Sequence, residues 1–450
     1  MCGCVVIVCG VFDVLVNISN AECGVWLYVV CVWVVRDVRC GMCSCRSHFF
    51  MRVSFGVSGH GMLCTHGMSC THRICFIIWS RQHLGNSSWT MVKQQLFPLA
   101  TDFSGLDFAA LALEPSTTAQ IVHIWSCEKK ENLVKLVRQS SRFHKPKVNF
   151  PDATKRRTKE MPYADLFVST PECQDYSPDG KQNGQKNESR GLLIKHSVRF
   201  ILAKKPRAFL FEQSDQLFSK RHFPVLKKVM RICAKRGRYN VRAKKINSLD
   251  QTGCQYRCRT YIAGIRKIDG ITSRPFKWPA KSTIRPKASQ FINPPTDHDA
   301  PSLPPARPHK SPKEHNRSRR LAKSDVARWR ARGVNPKTSL VIGDTGCSKN
   351  RGSSRHEESP ALTCRRCRGH DLWLSTHGRT ADTNEMFKLQ THLEDLDDEF
   401  PNWQQTVSKG QMGDAIGNSL HIPTVARILK NLLSAANIQD VQLKTEVPGF

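Results

Sequence analysis

Along the middle of the chain, short runs of nearly continuous apolar residues alternate with longer stretches of helical spacing. Phe97–Ala100, Ile121–Cys127, Ala164–Val168, Ala208–Phe211 and Tyr261–Ile265 are too short for helices and lack a regular polar face. That is the pattern of strands buried on both sides of a sheet. Between them, Asp107–Glu114 is rich in alanine. Gly191–Ala203 carries Leu192, Ile194, Val198, Ile201 and Leu202 at helical spacing and is closed by Lys205-Pro206. A further helix is predicted from Phe223 to Lys235, stopping at Gly237, and another from Val425 to Leu433 behind Pro423. Strands alternating with helices predict an α/β domain.

The flanks break this pattern. Residues 1–92 contain no lysine and no proline and are dominated by Val, Cys and Gly. Their apolar stretches, Cys4–Phe12 and Cys23–Val35, fall short of the ~20 residues that span a bilayer, and no positive charge precedes the first. Neither a membrane span nor a signal peptide is indicated, and the segment is read as an extension outside the folded core. Ten prolines between Pro275 and Pro312 exclude long regular elements there. Arg307–Lys337 then carries eleven Lys or Arg against Glu314 and Asp325, which reads as a linker and an irregular basic arm.

Over the whole chain Lys and Arg outnumber Asp and Glu by 69 to 37, a formal charge of +32. That excess favours a polyanionic partner, nucleic acid before membrane. Of 19 cysteines, 11 fall between Cys2 and Cys75, at spacings that match no paired zinc ligands. Cys364–Cys367 is a lone CxxC without a second pair. No metal is expected.

Two stretches carry candidate chemistry. In the first, the strand before Thr101 runs through a turn at Gly105 into the alanine-rich helix, an arrangement that lets backbone amides approach a nucleotide cofactor. Glu128 ends the next strand, where a carboxylate suits a ribose diol. In the second, the strand Ala164–Val168 feeds a loop with Pro171, Cys173, Gln174, Ser177, Asp179 and Gly180. A cysteine there stands at the carboxyl end of a central strand, where open α/β sheets bind ligands.

This loop resembles the catalytic loop of the cytosine-C5 DNA methyltransferases, a Pro-Cys-Gln core followed by an aromatic, a serine and a glycine turn. Other family motifs appear in order. Phe103-Ser-Gly105 is similar to Phe-x-Gly-x-Gly, with Asp107 where that pattern has its second glycine. Glu212-Gln213-Ser214 stands at Glu-Asn-Val, and Glu172 replaces the proline before the cysteine. Gln255-Tyr-Arg257-Cys-Arg259 matches Gln-x-Arg-x-Arg. Ser359-Pro-Ala-Leu-Thr363, continuing through Arg379 and Glu385 to Gln390, resembles the ninth motif, and Gly417-Asn418-Ser419 the last.

The resemblance implies a Rossmann-like class I methyltransferase sheet with a small, irregular target-recognition region, and methylation of DNA cytosine with S-adenosyl-L-methionine. Cys173 would add to carbon 6 of the base, Glu212 would serve ring nitrogen 3, and Arg257 or Arg259 would hold the carbonyl oxygen. Phe103, Gly105, Glu128, Asp152 and Asn418 would line the cofactor pocket, Asp152 holding the adenine amino group. The corresponding boundaries are an extension at 1–92, the catalytic domain at 93–268, a target-recognition and linker region at 269–358, and a returning C-terminal part at 359–450. DNA as partner implies residence in the nucleus. A tRNA cytosine methyltransferase and a non-catalytic nucleic-acid binder remain alternatives.

Overall fold

The computed structural model describes residues 96–114, 120–140, 145–172, 193–268, 274–299, 301, 303–304, 311–347 and 354–436. Nearer the N-terminus it describes four strands, Tyr28–Val34, Phe50–Gly56, Phe76–Ser80 and Thr90–Gln94. The chain divides into two units, Met1–Phe76 and Ile77–Phe450. In the first, Tyr28–Val34 pairs antiparallel with Phe50–Gly56.

The second unit is built on a seven-stranded sheet. Its strands are β1 (Leu96–Asp102), β2 (Gln120–Cys127), β3 (Val148–Phe150), β4 (Leu166–Ser169), β5 (Ala208–Ser214), β6 (Tyr239–Asn247) and β7 (Cys258–Arg266). Their spatial order is β6-β7-β5-β4-β1-β2-β3. β7 is antiparallel to both neighbours, and the other pairs are parallel. The chain winds outward from β1 to β3, then crosses back to β4 on the other side of β1. At such a switch point the connections leave in opposite directions, which opens a crevice at the carboxyl ends of the strands.

All residues of β4 and β5 are buried, which accounts for apolar runs without alternation. Neighbouring residues on a strand still serve different cores, because side chains alternate across the sheet. Leu99, Leu166, Val168 and Leu210 join one core; Ala100, Phe167, Phe209 and Phe211 join the other. Helices cover both faces. α1 (Phe108–Leu113) and α2 (Glu131–Gln139) follow β1 and β2, and α3 (Leu193–Lys204) and α4 (Phe223–Gly237) flank β5 in sequence. The sheet and its helices form the α/β domain expected from the pattern, with the Rossmann-like sheet that the resemblance implies.

The basic stretch departs from the expected irregular arm. Pro312–Arg330 is a 19-residue helix, α5. Ser311 caps it: its hydroxyl accepts from the Glu314 N–H at 3.3 Å, while the Glu314 carboxylate accepts from the Ser311 N–H at 3.0 Å. Pro312 fits the first turn, where its missing N–H costs nothing. Ser318, Leu321, Ala322 and Asp325 form a buried stripe at helical spacing. This stripe rests against a three-stranded sheet of Ser354–His356, Val341–Asp344 and Leu372–Leu374, where the Ser318 hydroxyl donates to the Thr345 carbonyl at 3.1 Å.

The C-terminal part contributes α6 (Cys364–Arg368), α7 (Thr383–Thr391), α8 (Leu396–Glu399), α9 (Lys409–Asn418) and α10 (Ile422–Ala435). α10 buries Val425, Ile428, Leu429 and Leu432 in the same core as α1. α6 lies directly on α9, because the glycines there leave no side chain between them. A Cβ at Gly413 would come within 2.5 Å of the Cys367 carbonyl, and one at Gly417 within 2.4 Å of the Cys364 nitrogen.

Candidate active site

The carboxyl ends of β1, β2, β4 and β5 surround an open cleft of ≈ 1610 Å³, closed on one side by α6 and α9. Phe103, Gly105, Glu128, Asp152, Glu212, Arg257, Arg259 and Asn418, the described site residues read from the sequence, all line it. Cys173 lies outside the described residues; Pro171 and Glu172, which lead into its loop, line the cleft.

One wall is the turn after β1. Phe103, Gly105 and Asp107 have φ of 56°, 56° and 57°, a left-handed conformation at alternate positions. Glu128 clamps this turn. Its carboxylate accepts from the Gly105 N–H at 2.9 Å and from the Lys130 N–H at 2.8 Å. Asp152 stands beyond, accepting from the Thr154 N–H at 2.8 Å and hydroxyl at 2.7 Å. Desolvation opposes its charge, but these bonds and the charges of Lys129 and Lys155 together outweigh it and hold its carboxyl below the usual range.

Below the turn, Asp102 forms a bidentate pair with Arg156, one of its two bonds measuring 2.6 Å, and accepts from the Ser197 hydroxyl at 2.8 Å. Arg156 also lies over the Trp125 ring, 5.1 Å from its centre. Sequence reasoning misses this pair, since the two partners are far apart along the chain and no motif marks Arg156. Asp107 is wholly buried. Thr101 donates to its Oδ2 at 3.3 Å, His123 Nδ1 stands 3.5 Å from the same oxygen, and Oδ1 has no partner among the described residues. Burial pushes the Asp107 carboxyl up, His123 and Thr101 pull it back, and Glu128 raises it again.

The facing wall comes from β5 and β7. Glu212 ends the apolar part of β5, and Arg259 of the antiparallel β7 approaches its carboxylate at 3.1 Å. Gln213 turns back toward the cysteine loop and donates to the Pro171 carbonyl at 2.8 Å. Arg257 takes a different direction. Its guanidinium donates to the carbonyls of Leu362, Gly417 at 3.3 Å and Ser419 at 2.8 Å, so it fastens the C-terminal motif to the sheet. Of the two arginines left open by the sequence, Arg259 is the one that stands 3.1 Å from the carboxylate of this wall. Gln255 adds to the same fastening, donating to Gln390 at 2.8 Å and accepting from the Leu362 N–H at 3.0 Å.

A smaller recess of ≈ 450 Å³ lies between α5 and Ser354–His356, lined by Arg328, Trp329, Arg332, Arg355 and His356. Arg332 stacks over Trp329 at 5.1 Å, and Arg355 over Tyr256 at 3.7 Å. Tyr256 also lines the main cleft, so this stack links the two. Among the described residues no group of His, Cys, Asp or Glu is arranged to hold a metal ion.

Fold and cleft together define a Rossmann-like methyltransferase. The family model described as C-5 cytosine-specific DNA methylase matches residues 102–434, and the chain belongs to that family. Type II methyltransferase M.FnuDI of Fusobacterium nucleatum is 31% identical over 142 residues, 32% of this chain and 41% of that protein. M.HgiCII of Herpetosiphon aurantiacus is 30% identical over 169 residues, 38% of this chain and 37% of that protein. The matched stretches thus span about two fifths of these two relatives. M.Bsp6I of Bacillus sp. (strain RFL6) is 23% identical over 341 residues, 75% of this chain and 98% of that protein. The solved Entamoeba histolytica methyltransferase EhMeth aligns with a TM-score of 0.51 at 13% identity, covering 77% of this chain and 100% of that one, a likeness of fold.

Members of this family use S-adenosyl-L-methionine, and the cleft fits it. Glu128 uses two acceptor positions on backbone amides and keeps others for a ribose diol. A Cβ at Gly105 would meet nothing within 4 Å, so the backbone faces open space where a ligand can approach.

Proposed function

We propose that the chain methylates carbon 5 of cytosine in DNA. One observation carries this reading: Glu212, paired with Arg259, faces the same cleft as the turn clamped by Glu128. Carbon 5 of cytosine is a poor nucleophile. A Cys173 thiolate adding to carbon 6 would make it an enamine carbon able to attack a methyl group. Glu212 would meet the charge that this addition places on ring nitrogen 3, by donating or sharing a proton. Arg259 would orient that carboxyl and hold the base's carbonyl oxygen. The bound cofactor supplies an electrophilic methyl on its sulfonium. Gln213 would set the start of the cysteine loop, and Glu128 and Asp152 would hold the ribose and adenine.

Carbon 6 is out of reach inside a duplex, so the base must be flipped into the cleft, at roughly a few kcal/mol. The basic face of α5 and the recess beside it are suited to offset that cost by gripping phosphates. Methyl transfer from labelled cofactor, offered duplex DNA and tRNA in parallel, tests the proposal. Label is expected in DNA as 5-methylcytosine; label in tRNA alone would overturn the assignment of substrate.

A further inference from the structure

Asp107 occupies the position of a family glycine, in a left-handed conformation that Asp tolerates better than most side chains. What the substitution adds is a carboxyl group under the cofactor turn, fully buried, with one oxygen bonded to Thr101 and the other without a partner among the described residues. An isolated carboxylate in such a place loses far more hydration than one hydroxyl returns, so the charge must be cancelled or absent. The basic group within ion-pair distance is His123, itself buried on β2 and in contact with the Thr101 hydroxyl at 3.1 Å. Glu128 is the other titratable group acting on Asp107, and it is of the wrong sign. α10, packed over α1, turns an apolar face to this core.

We infer that Asp107 and His123 form a neutral pair that holds one proton more than a carboxylate and an imidazole would. His123 is then a positioning residue of the cofactor site. It acts through Asp107, letting a carboxyl stand where the turn otherwise takes glycine. The inference rests on the cofactor reading of this cleft. Cofactor binding removes water from the cleft, which penalises an uncancelled charge beneath it. Binding therefore favours the protonated pair, and affinity falls as pH rises and the proton leaves.

The test is calorimetric titration of S-adenosylhomocysteine into the full chain between pH 6 and pH 9. The same titration is run on Asp107→Asn, Asp107→Gly, His123→Ala and the double variant Asp107→Asn/His123→Ala. The parent is expected to lose about tenfold in affinity relative to Asp107→Asn across that range, the loss set by a tenfold preference of the ligand for the protonated pair. Asp107→Gly should follow Asp107→Asn, His123→Ala should bind more weakly at pH 7.5, and the double variant should recover. A parent profile parallel to that of Asp107→Asn would overturn the neutral pair. So would affinity that climbs with pH, because an ionised Asp107 would then be attracting the ligand's ammonium. Absence of binding by the parent at every pH would overturn the cofactor reading itself, and this inference with it.

Discussion

At the scale of single residues, the Gln-x-Arg-x-Arg motif separates into two jobs. Arg257 is 3% exposed and donates to three backbone carbonyls, whereas Arg259, two positions on and inside β7, faces Glu212. Arg257→Ala should therefore destabilise the fold by about 1–3 kcal/mol, the cost of leaving buried carbonyls unpaired. Arg259→Ala should leave the unfolding midpoint near the parent's and suppress methyl transfer. Thermal unfolding and single-turnover transfer, measured on both variants, check this; equal losses in both readouts would contradict the division. The motif leaves the two arginines on equal footing because spacing alone does not show which carbonyls lie across a strand. Glu128 is readable, since the end of a second strand after a glycine turn is a local position. Arg156 is not, because its partner Asp102 meets it only through the fold.

At the scale of elements, the strands and most helices are legible because each is a local pattern. α5 is the exception, although its signals are present: Ser311, Pro312 and Glu314 form a start signature, and Leu321, Ala322 and Asp325 repeat at helical spacing. Ten nearby prolines and a dense positive charge point the other way. Tertiary burial against the three-stranded sheet decides in favour of the helix. A smaller difference concerns the end of α4. The pattern puts the stop at Gly237, but Arg238 takes the left-handed cap at φ 59°. Gly237 is needed for space instead, since a Cβ there would stand 2.7 Å from the Tyr239 ring.

α5 also yields a prediction. Arg319, Arg320 and Lys323 are exposed, whereas Arg317 bonds to the Cys347 carbonyl and anchors the helix. Replacing those three by Gln should weaken binding to all DNA sequences alike. The slope of log affinity against log salt should become shallower by up to about 2.7, roughly 0.9 for each phosphate that a side chain no longer neutralises. Fluorescence anisotropy over a salt series measures it, and a loss confined to one DNA sequence would make this face a base reader instead.

At the scale of the whole molecule, strand order brings together groups that lie far apart in the chain. The crossing from β3 back to β4 sets Thr170 beside the turn after β1, its hydroxyl donating to the Phe103 carbonyl at 2.8 Å, and antiparallel β7 carries Arg259 back to Glu212. The returning C-terminal part closes the cleft through Asn418 and is held there by Arg257. The family motifs forecast this convergence in order, but the fastening of α6 on α9 through Gly413 and Gly417 is visible only in the packing. We propose that this cleft works through the Cys173 thiolate. Covalent trapping tests it most directly, with duplex DNA carrying 5-fluorocytosine at candidate target sites and S-adenosyl-L-methionine present. Fluorine cannot leave as a proton does, so the thiolate should remain bonded to the base. A denaturation-resistant protein–DNA adduct is expected from the parent chain and none from Cys173→Ser. No adduct from a parent shown to bind both DNA and cofactor, or an adduct that survives Cys173→Ser, would contradict it.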